Sequence, residues 1–284
     1  MSKVGLVVCG NSGIDYIKHD YDIRVIRSML LFGEDEYTDF VDIKADAFYK
    51  MLVEKPELHP STAQTATGVI LETYEKLKED GYDEILAITI SSKLSGTYEG
   101  AKMAANMIEG VKVTVFDSLT VSYPEAYMVL TAAEMIKKGK SVSEVIDRLM
   151  FIRENHGILV SVDTLKYLVR NGRLSGASGF LGGLLNIKPM LTLTREGRLE
   201  PLEKIRTRKK AINRIIDKYV EEHAQDNHEV FIAHANAFDV VDEVKERLLE
   251  RRPQLKDLKV YPLTPVVGAH AGPGTLAIGW IVKK

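Results

Sequence analysis

EILAITISSKLSGTY, residues 84–98, is the stretch on which the fold turns. Its first seven residues are a continuous apolar run, the pattern of a strand buried on both faces of a sheet. From Ser91 onward it gathers three serines and a threonine around Gly96, with no histidine beside them. A helix should follow, which puts these hydroxyls at the carboxyl end of a strand and at the start of a helix. Free backbone N–H groups collect there and anions bind. Serine and threonine also serve as plain helix caps, and the residues alone support both readings. A nucleophilic serine is disfavoured, because the G-x-S-x-G elbow is absent.

Outward from this stretch, strands alternate with helices. VGLVV (4–8) is a strand that opens into the turn Gly10-Asn11-Ser12-Gly13. A helix is expected over 66–79, with Val69, Ile70, Tyr74 and Leu77 on one face and Gly81 past its end. VKVTVF (111–116) is a strand ending at Asp117-Ser118, and Ser141 with Glu144 has the spacing of a capping box, opening a helix that runs to about 155. This grammar predicts a mainly parallel sheet with helices on both faces.

After residue 157 the pattern changes. GILVSV (157–162) reads as a strand, 164–169 as a short helix, and 171–191 as a glycine-rich segment with large apolar residues. MLTLT and LEPLEKI flank Arg195-Glu196-Gly197-Arg198, a hairpin signal. Helices over 208–224 and 238–252 and strands at EVFIAHA (229–235) and KVYPL (259–263) complete an α+β pattern, mainly antiparallel. The expected fold is therefore α/β with two domains, 1–157 and 158–284, which suits a chain of 284 residues.

Composition narrows the function. A net charge of −2 lacks the basic footprint of a nucleic-acid binder. The single cysteine, Cys9, excludes an internal disulfide and fits a reducing compartment. MSKVGLVVCG is too short an apolar run for a signal peptide or membrane span, so a cytoplasmic protein is expected. The histidines show no metal-ligand spacing, and no metal site is expected.

Three further stretches invite chemistry. In HPSTAQT (59–65), Ser61 and Thr62 either cap the next helix or point hydroxyls at a ligand. GAHAGPGTLAIGW (268–280) reads as a tight glycine-rich loop with His270 inside it, a hydrogen-bonding or proton-handling group as readily as a structural one. In 171–189, Arg173 beside glycine is a candidate for a partner or an anion, while Phe180, Leu181, Leu184 and Ile187 are apolar candidates.

SSKLSGTY (91–98), Asp117-Ser118, TLKYLVRNGRLSG (164–176), NIKP (186–189) and GAHAGPG (268–274), in that order, resemble the DegV family of bacterial proteins. The resemblance covers essentially the whole chain. It implies a two-domain α/β protein that holds one long-chain fatty acid, such as palmitate or stearate, in a tunnel between its domains. It further implies a binding subunit without catalysis of its own, which presents the carboxylate to a separate ATP-dependent fatty acid kinase subunit for acyl-phosphate formation. Residue by residue, Thr62 matches the threonine of the family's Thr-Ser-Gln-Pro stretch, Ser95 the serine of Leu-Ser-Gly-Thr and His270 the histidine before Gly-Pro-Gly. The resemblance makes these carboxylate ligands, with Ser92 and Gly96 beside them. Phe180, Leu181, Leu184 and Ile187 would line the tunnel. Separately from the resemblance, the basic strip at Arg173 and IRTRKK (205–210), with Arg206, is expected to dock the partner or draw in ATP phosphates. No cofactor is implied beyond the bound fatty acid. The chain departs from the family pattern at Asn11, where an aspartate is usual, and at Ala63 and Thr65.

Two other classes stay open on the residues alone. One is a hydrolase with Ser95 as nucleophile, His270 as base and Asp117 recruited to orient it. The other is a lipid carrier or sensor that works without a kinase.

Overall fold

The structure, a computed structural model, describes residues 3–176, 187–255 and 258–283. The first sheet contains β1 (Val4–Cys9), β2 (Ile23–Ile26), β6 (Glu84–Thr89) and β7 (Lys112–Asp117), in the order β2-β1-β6-β7 and wholly parallel. Its central strands are apolar throughout because both faces are covered. Val7, Cys9, Ile85 and Ala87 face α2 (Thr67–Glu79) and α3 (Thr97–Met107), joining Ile70, Tyr74 and Ala101. Leu6, Val8, Leu86 and Ile88 face the other way, onto α4 (Tyr123–Lys137) and α5 (Val142–Glu154).

The second sheet runs β10-β9-β8-β13-β11-β12. Its strands are β8 (His156–Ser161), β9 (Met190–Leu193), β10 (Leu199–Glu203), β11 (His228–His234), β12 (Lys259–Pro262) and β13 (Leu276–Val282). All pairings are antiparallel except β11 with β12. Alternation along the strands divides its faces. Val230, Ile232 and Ile278 meet α7 (Arg208–Lys218) and α8 (Phe238–Arg251), whereas Phe231, Ala233, Ala277 and Ile281 turn inward and share a buried cluster with α4 and α5. One layer of helices is thus covered by a sheet on each side, and a single buried cluster reaches from Leu6 to Ile281.

A third, small sheet, β4-β3-β5, has no counterpart in the expected pattern. It is built from β3 (Met29–Phe32), β4 (Asp35–Thr38) and β5 (Ser61–Ala63), with α1 (Ala45–Glu54) between the last two. Three- and four-residue strands are too short to display a period, and β4 reads Asp-Glu-Tyr-Thr, which is polar. The remaining helices are α6 (Lys166–Arg170) and α9 (Pro265–Ala271).

Several expected boundaries shift. The helix expected over 208–224 is α-helical only to Lys218 and then widens into a π turn, Tyr219–His223. That turn brings the His223 ring onto Trp280, with centroids 4.4 Å apart. The short helix expected over 164–169 is α6, Lys166–Arg170. The capping box forms as expected: the Ser141 hydroxyl accepts the Glu144 N–H at 3.3 Å and the Glu144 carboxylate accepts the Ser141 N–H at 2.9 Å. His270 does not lie in a loop, because Thr264 caps α9, Pro265 opens it and Gly272, at φ 77°, ends it.

Candidate functional site

β1 and β6 are neighbours from which the chain leaves in opposite directions across the sheet. The crevice beyond the carboxyl ends of such a strand pair is where open parallel sheets bind ligands. A cavity of about 250 Å³ lies there, reached by Asn11 after β1, by Ile90, Leu94 and Ser95 after β6, and by Val121 after β7. β5 adds Thr62 and α9 adds His270.

Thr62 Oγ1 and His270 Nε2 are 2.9 Å apart although 208 residues separate them. Each is fixed by its own element. Thr62 pairs with Leu30 across the small sheet, so the capping role weighed for it is not the one it takes; the cap position of α2 is Ala66, which makes no side-chain cap. His270 rides on α9, which seats on α1 at Gly268, where any Cβ would overlap the Tyr49 hydroxyl. That hydroxyl donates to Leu263 O at 3.0 Å, tying α1 to the segment just before α9.

Burial, and then the charge of nearby Arg173, push His270 down to about 4. The ring is neutral at neutral pH and carries one N–H. The tautomer protonated on Nε2 donates to Thr62 and frees the Thr62 hydrogen for a ligand anion. Nδ1 is buried without a partner.

The hydroxyl-rich turn divides its tasks. Ser91 is buried and donates to Gly197 O at 2.8 Å, joining the turn to the hairpin of the second sheet. Asp117 accepts the backbone N–H of Ser92 and of Leu119, each at 3.1 Å. Ser95 Oγ accepts the Thr97 N–H at 3.3 Å, lies 2.9 Å from Thr97 Oγ1 and also lines the cavity. Gly96 lets Gln64 lie across the start of α3, where a Cβ would overlap its side-chain oxygen.

Arg173 is the one charged residue among the described lining residues. Its guanidinium donates to Leu94 O at 3.1 Å and to Asn171 O at 2.6 Å, which holds it at the rim. The site therefore offers a cation, three hydroxyls (Ser28, Thr62 and Ser95) and a neutral imidazole, with Ile90, Val121, Leu168 and Val266 in the apolar wall. This suits an anionic head attached to an apolar body.

Of the expected site residues, the cavity collects Thr62, Ser95, His270 and Arg173. Ser92 and Gly96 stand beside it in the turn, outside its lining. Ile187 and Arg206 line a second cavity of about 980 Å³, with Lys166, Arg170 and Lys188. Phe180, Leu181 and Leu184 lie outside the described residues. Ser95 and His270 make no hydrogen bond to each other, and the His270 Nε2 contact is with Thr62. A nucleophile and base pair is therefore not assembled.

Sequence reasoning missed Ser28, Gln64 and Leu199 as lining residues. Gln64 sits inside the HPSTAQT stretch and was within reach of the same argument. Ser28 precedes β3 of the small sheet, which no periodicity announces.

A cavity at the strand ends of a parallel sheet, apolar-walled with a few convergent polar groups, has the character of a small-molecule site. The model of the family described as "Uncharacterised protein, DegV family" matches residues 11–283. The chain belongs to the DegV family. A DegV domain-containing protein of Halalkalibacterium halodurans is 34% identical over 263 residues, 92% of each chain. A fatty-acid-binding DegV family protein from Thermus thermophilus superposes with a TM-score of 0.87 at 30% identity, covering 99% of this chain and 100% of that one. The Streptococcus pneumoniae fatty acid kinase B3 protein, solved with linoleic acid, shares the fold with a TM-score of 0.83 at 24% identity, covering 99% and 100%. No helix among the described residues is long and apolar enough to cross a membrane.

Proposed function

We propose that this protein binds one long-chain fatty acid and presents its carboxylate to a separate ATP-dependent kinase subunit for acyl-phosphate formation. The carboxylate is held by Thr62, Ser95 and His270, and the tail runs between two domains, residues 1–157 and 158–284. The observation that carries this reading is the meeting of those three side chains, from three remote segments, in a cavity whose one charged lining residue among those described is a cation. A carboxylate leaving water needs donors to replace those it loses; the Thr62 and Ser95 hydroxyls supply them, while the single N–H of His270 orients Thr62. Each buried methylene of the tail adds about 0.8 kcal/mol.

Ser92 and Gly96 act through the shape of the turn that carries Ser95. Arg173, held at the rim, faces the phosphoryl group as it forms. Arg206 docks the kinase subunit, within a basic wall that includes Lys166, Arg170 and Lys188. The chain acts as a binding subunit and supplies no nucleophile of its own, in keeping with a Ser95 hydroxyl that engages Thr97.

Denaturing extraction of the purified protein followed by mass spectrometry tests the binding step. A stoichiometric long-chain fatty acid is the expected result; an empty protein that takes up no added fatty acid overturns the reading. Arg173→Gln tests the presentation step: it should cut acyl-phosphate formation in the presence of the kinase subunit far more than it weakens lipid binding, which loses only the cation at the rim. Loss of both would sink the assignment of Arg173.

A further inference from the structure

Behind the cavity wall stands an acid that the carboxylate site as described does not use. Asn11 lines the cavity, and its Nδ2 donates to Glu125 Oε2 at 2.7 Å. Glu125 lies in the first turn of α4, in the helix layer between the two large sheets, and is 0% exposed. Its second oxygen, Oε1, is buried with no hydrogen-bond partner. Asn11 from the turn after β1, the Cys9 thiol at the end of β1 and Asp117 at the end of β7 act on it. Arg153 of α5 donates instead to Asp117 O at 3.2 Å, and no ion pair to Glu125 forms among the described residues. Across the cavity stand Arg173 and His270. An ionised carboxylate in this place would be a buried charge without a counter-ion, which proteins avoid by keeping the proton.

We propose that the Glu125–Asn11 pair is a further specificity-determining part of the head-group site: Glu125, as a neutral carboxylic acid, positions the Asn11 amide against the cavity and leaves the ligand carboxylate as the sole anion there. The inference rests on the fatty-acid reading above. Burial dominates the state of Glu125, raising it well above the usual carboxylate range against the pull of the Asn11 amide and the Cys9 backbone. Burial also raises the Cys9 thiol well above its usual range, so the thiol adds no competing charge. Two carboxylates one side chain apart cannot both ionise cheaply. Ligand binding and the Glu125 proton are therefore linked, and affinity should fall as alkali removes that proton.

The test compares the wild-type protein with Glu125→Gln, which keeps the shape and cannot ionise. Affinity for the fluorescent fatty acid cis-parinaric acid would be measured from about pH 6 to about pH 10, a range above the ordinary carboxylate titration. The wild type should lose about tenfold or more, the scale of repulsion between two charges a side chain apart in a protein interior. E125Q should lack that fall. Superimposable profiles overturn the proposal. Infrared difference spectra of the wild type against E125Q at neutral pH give an answer that needs no ligand. Asp39, raised by burial to about 7, contributes to both and cancels. A carbonyl band of a protonated carboxylic acid present only in the wild type is expected, and its absence overturns the proposal. A protein that binds no probe at any pH removes the fatty-acid reading and the selectivity drawn from it, whereas the infrared band still reports the state of Glu125.

Discussion

Thr62 shows how much one hydroxyl does here. It is aligned by strand pairing with Leu30 and by the contact with His270, and with the imidazole proton on Nε2 its own hydrogen is available to an anion. Thr62→Ala should weaken fatty-acid binding about tenfold or more, the cost of about 1.4 kcal/mol when a buried acceptor loses one donor, and Thr62→Ser should recover most of it, as read by displacement of a fluorescent lipid. Thr62 and Ser95 were legible in the sequence as small hydroxyls beside glycine and helix starts. Their partners were not. Glu125 reads as an ordinary acidic residue near a helix start, and only full enclosure without a cation makes it unusual.

At the scale of elements, α9 decides where the imidazole points. Gly268 is the contact at which this helix meets Tyr49 of α1. Gly268→Ala should force the helix off that hydroxyl, lowering stability by about 1–3 kcal/mol as overpacked positions do and weakening lipid binding as His270 moves. Thermal melts with and without fatty acid separate the two effects. The expectation of a loop at 268–280 holds only for 272–275. It failed at His270 because glycine content outweighed a helix start signal that was present, Thr264 followed by Pro265, and at 276–280 because that segment opens β13. The large sheets were legible in part. Most of their strands advertise burial by continuous apolar runs or by alternation, but β2 was not anticipated, and β13, flanked on both sides in the second sheet, begins inside the stretch read as a loop. By contrast, β3, β4 and β5 are three or four residues long and show neither signal clearly.

The whole molecule is organised about one shared helix layer. Because a single buried cluster joins both large sheets, the two proposed domains should unfold together, giving one calorimetric transition, and residues 1–157 alone should expose the inward faces of α4 and α5 and aggregate. Two resolved transitions would count against this coupling. Acid should weaken the fold as well. Burial pushes His228 and His270 down to about 4 and lowers His156, His223 and His234 in the same direction. Between the ordinary histidine value near 6.5 and about 4, the unfolded chain binds protons that the folded one refuses, so stability falls as pH falls through that window. Asp39, raised by burial to about 7, and the raised Glu125 act in the opposite sense but are fewer. Melting temperatures across this window should decline toward acid, and His228→Leu, which removes two buried ring nitrogens without partners, should make the decline shallower.

By itself the sequence determined which side of each long element is buried, because a period of two or 3.6 residues, or its absence in a fully covered strand, records local solvent exposure. It also determined that hydroxyls and glycines collect at strand ends, where backbone turns need them. Only the tertiary structure decided that Thr62, Ser95, Arg173 and His270 share one cavity and that Glu125 stands behind Asn11. Periodicity states how a segment faces the interior; which interior surfaces meet is settled by packing between segments as much as 214 residues apart, and no local pattern carries that information.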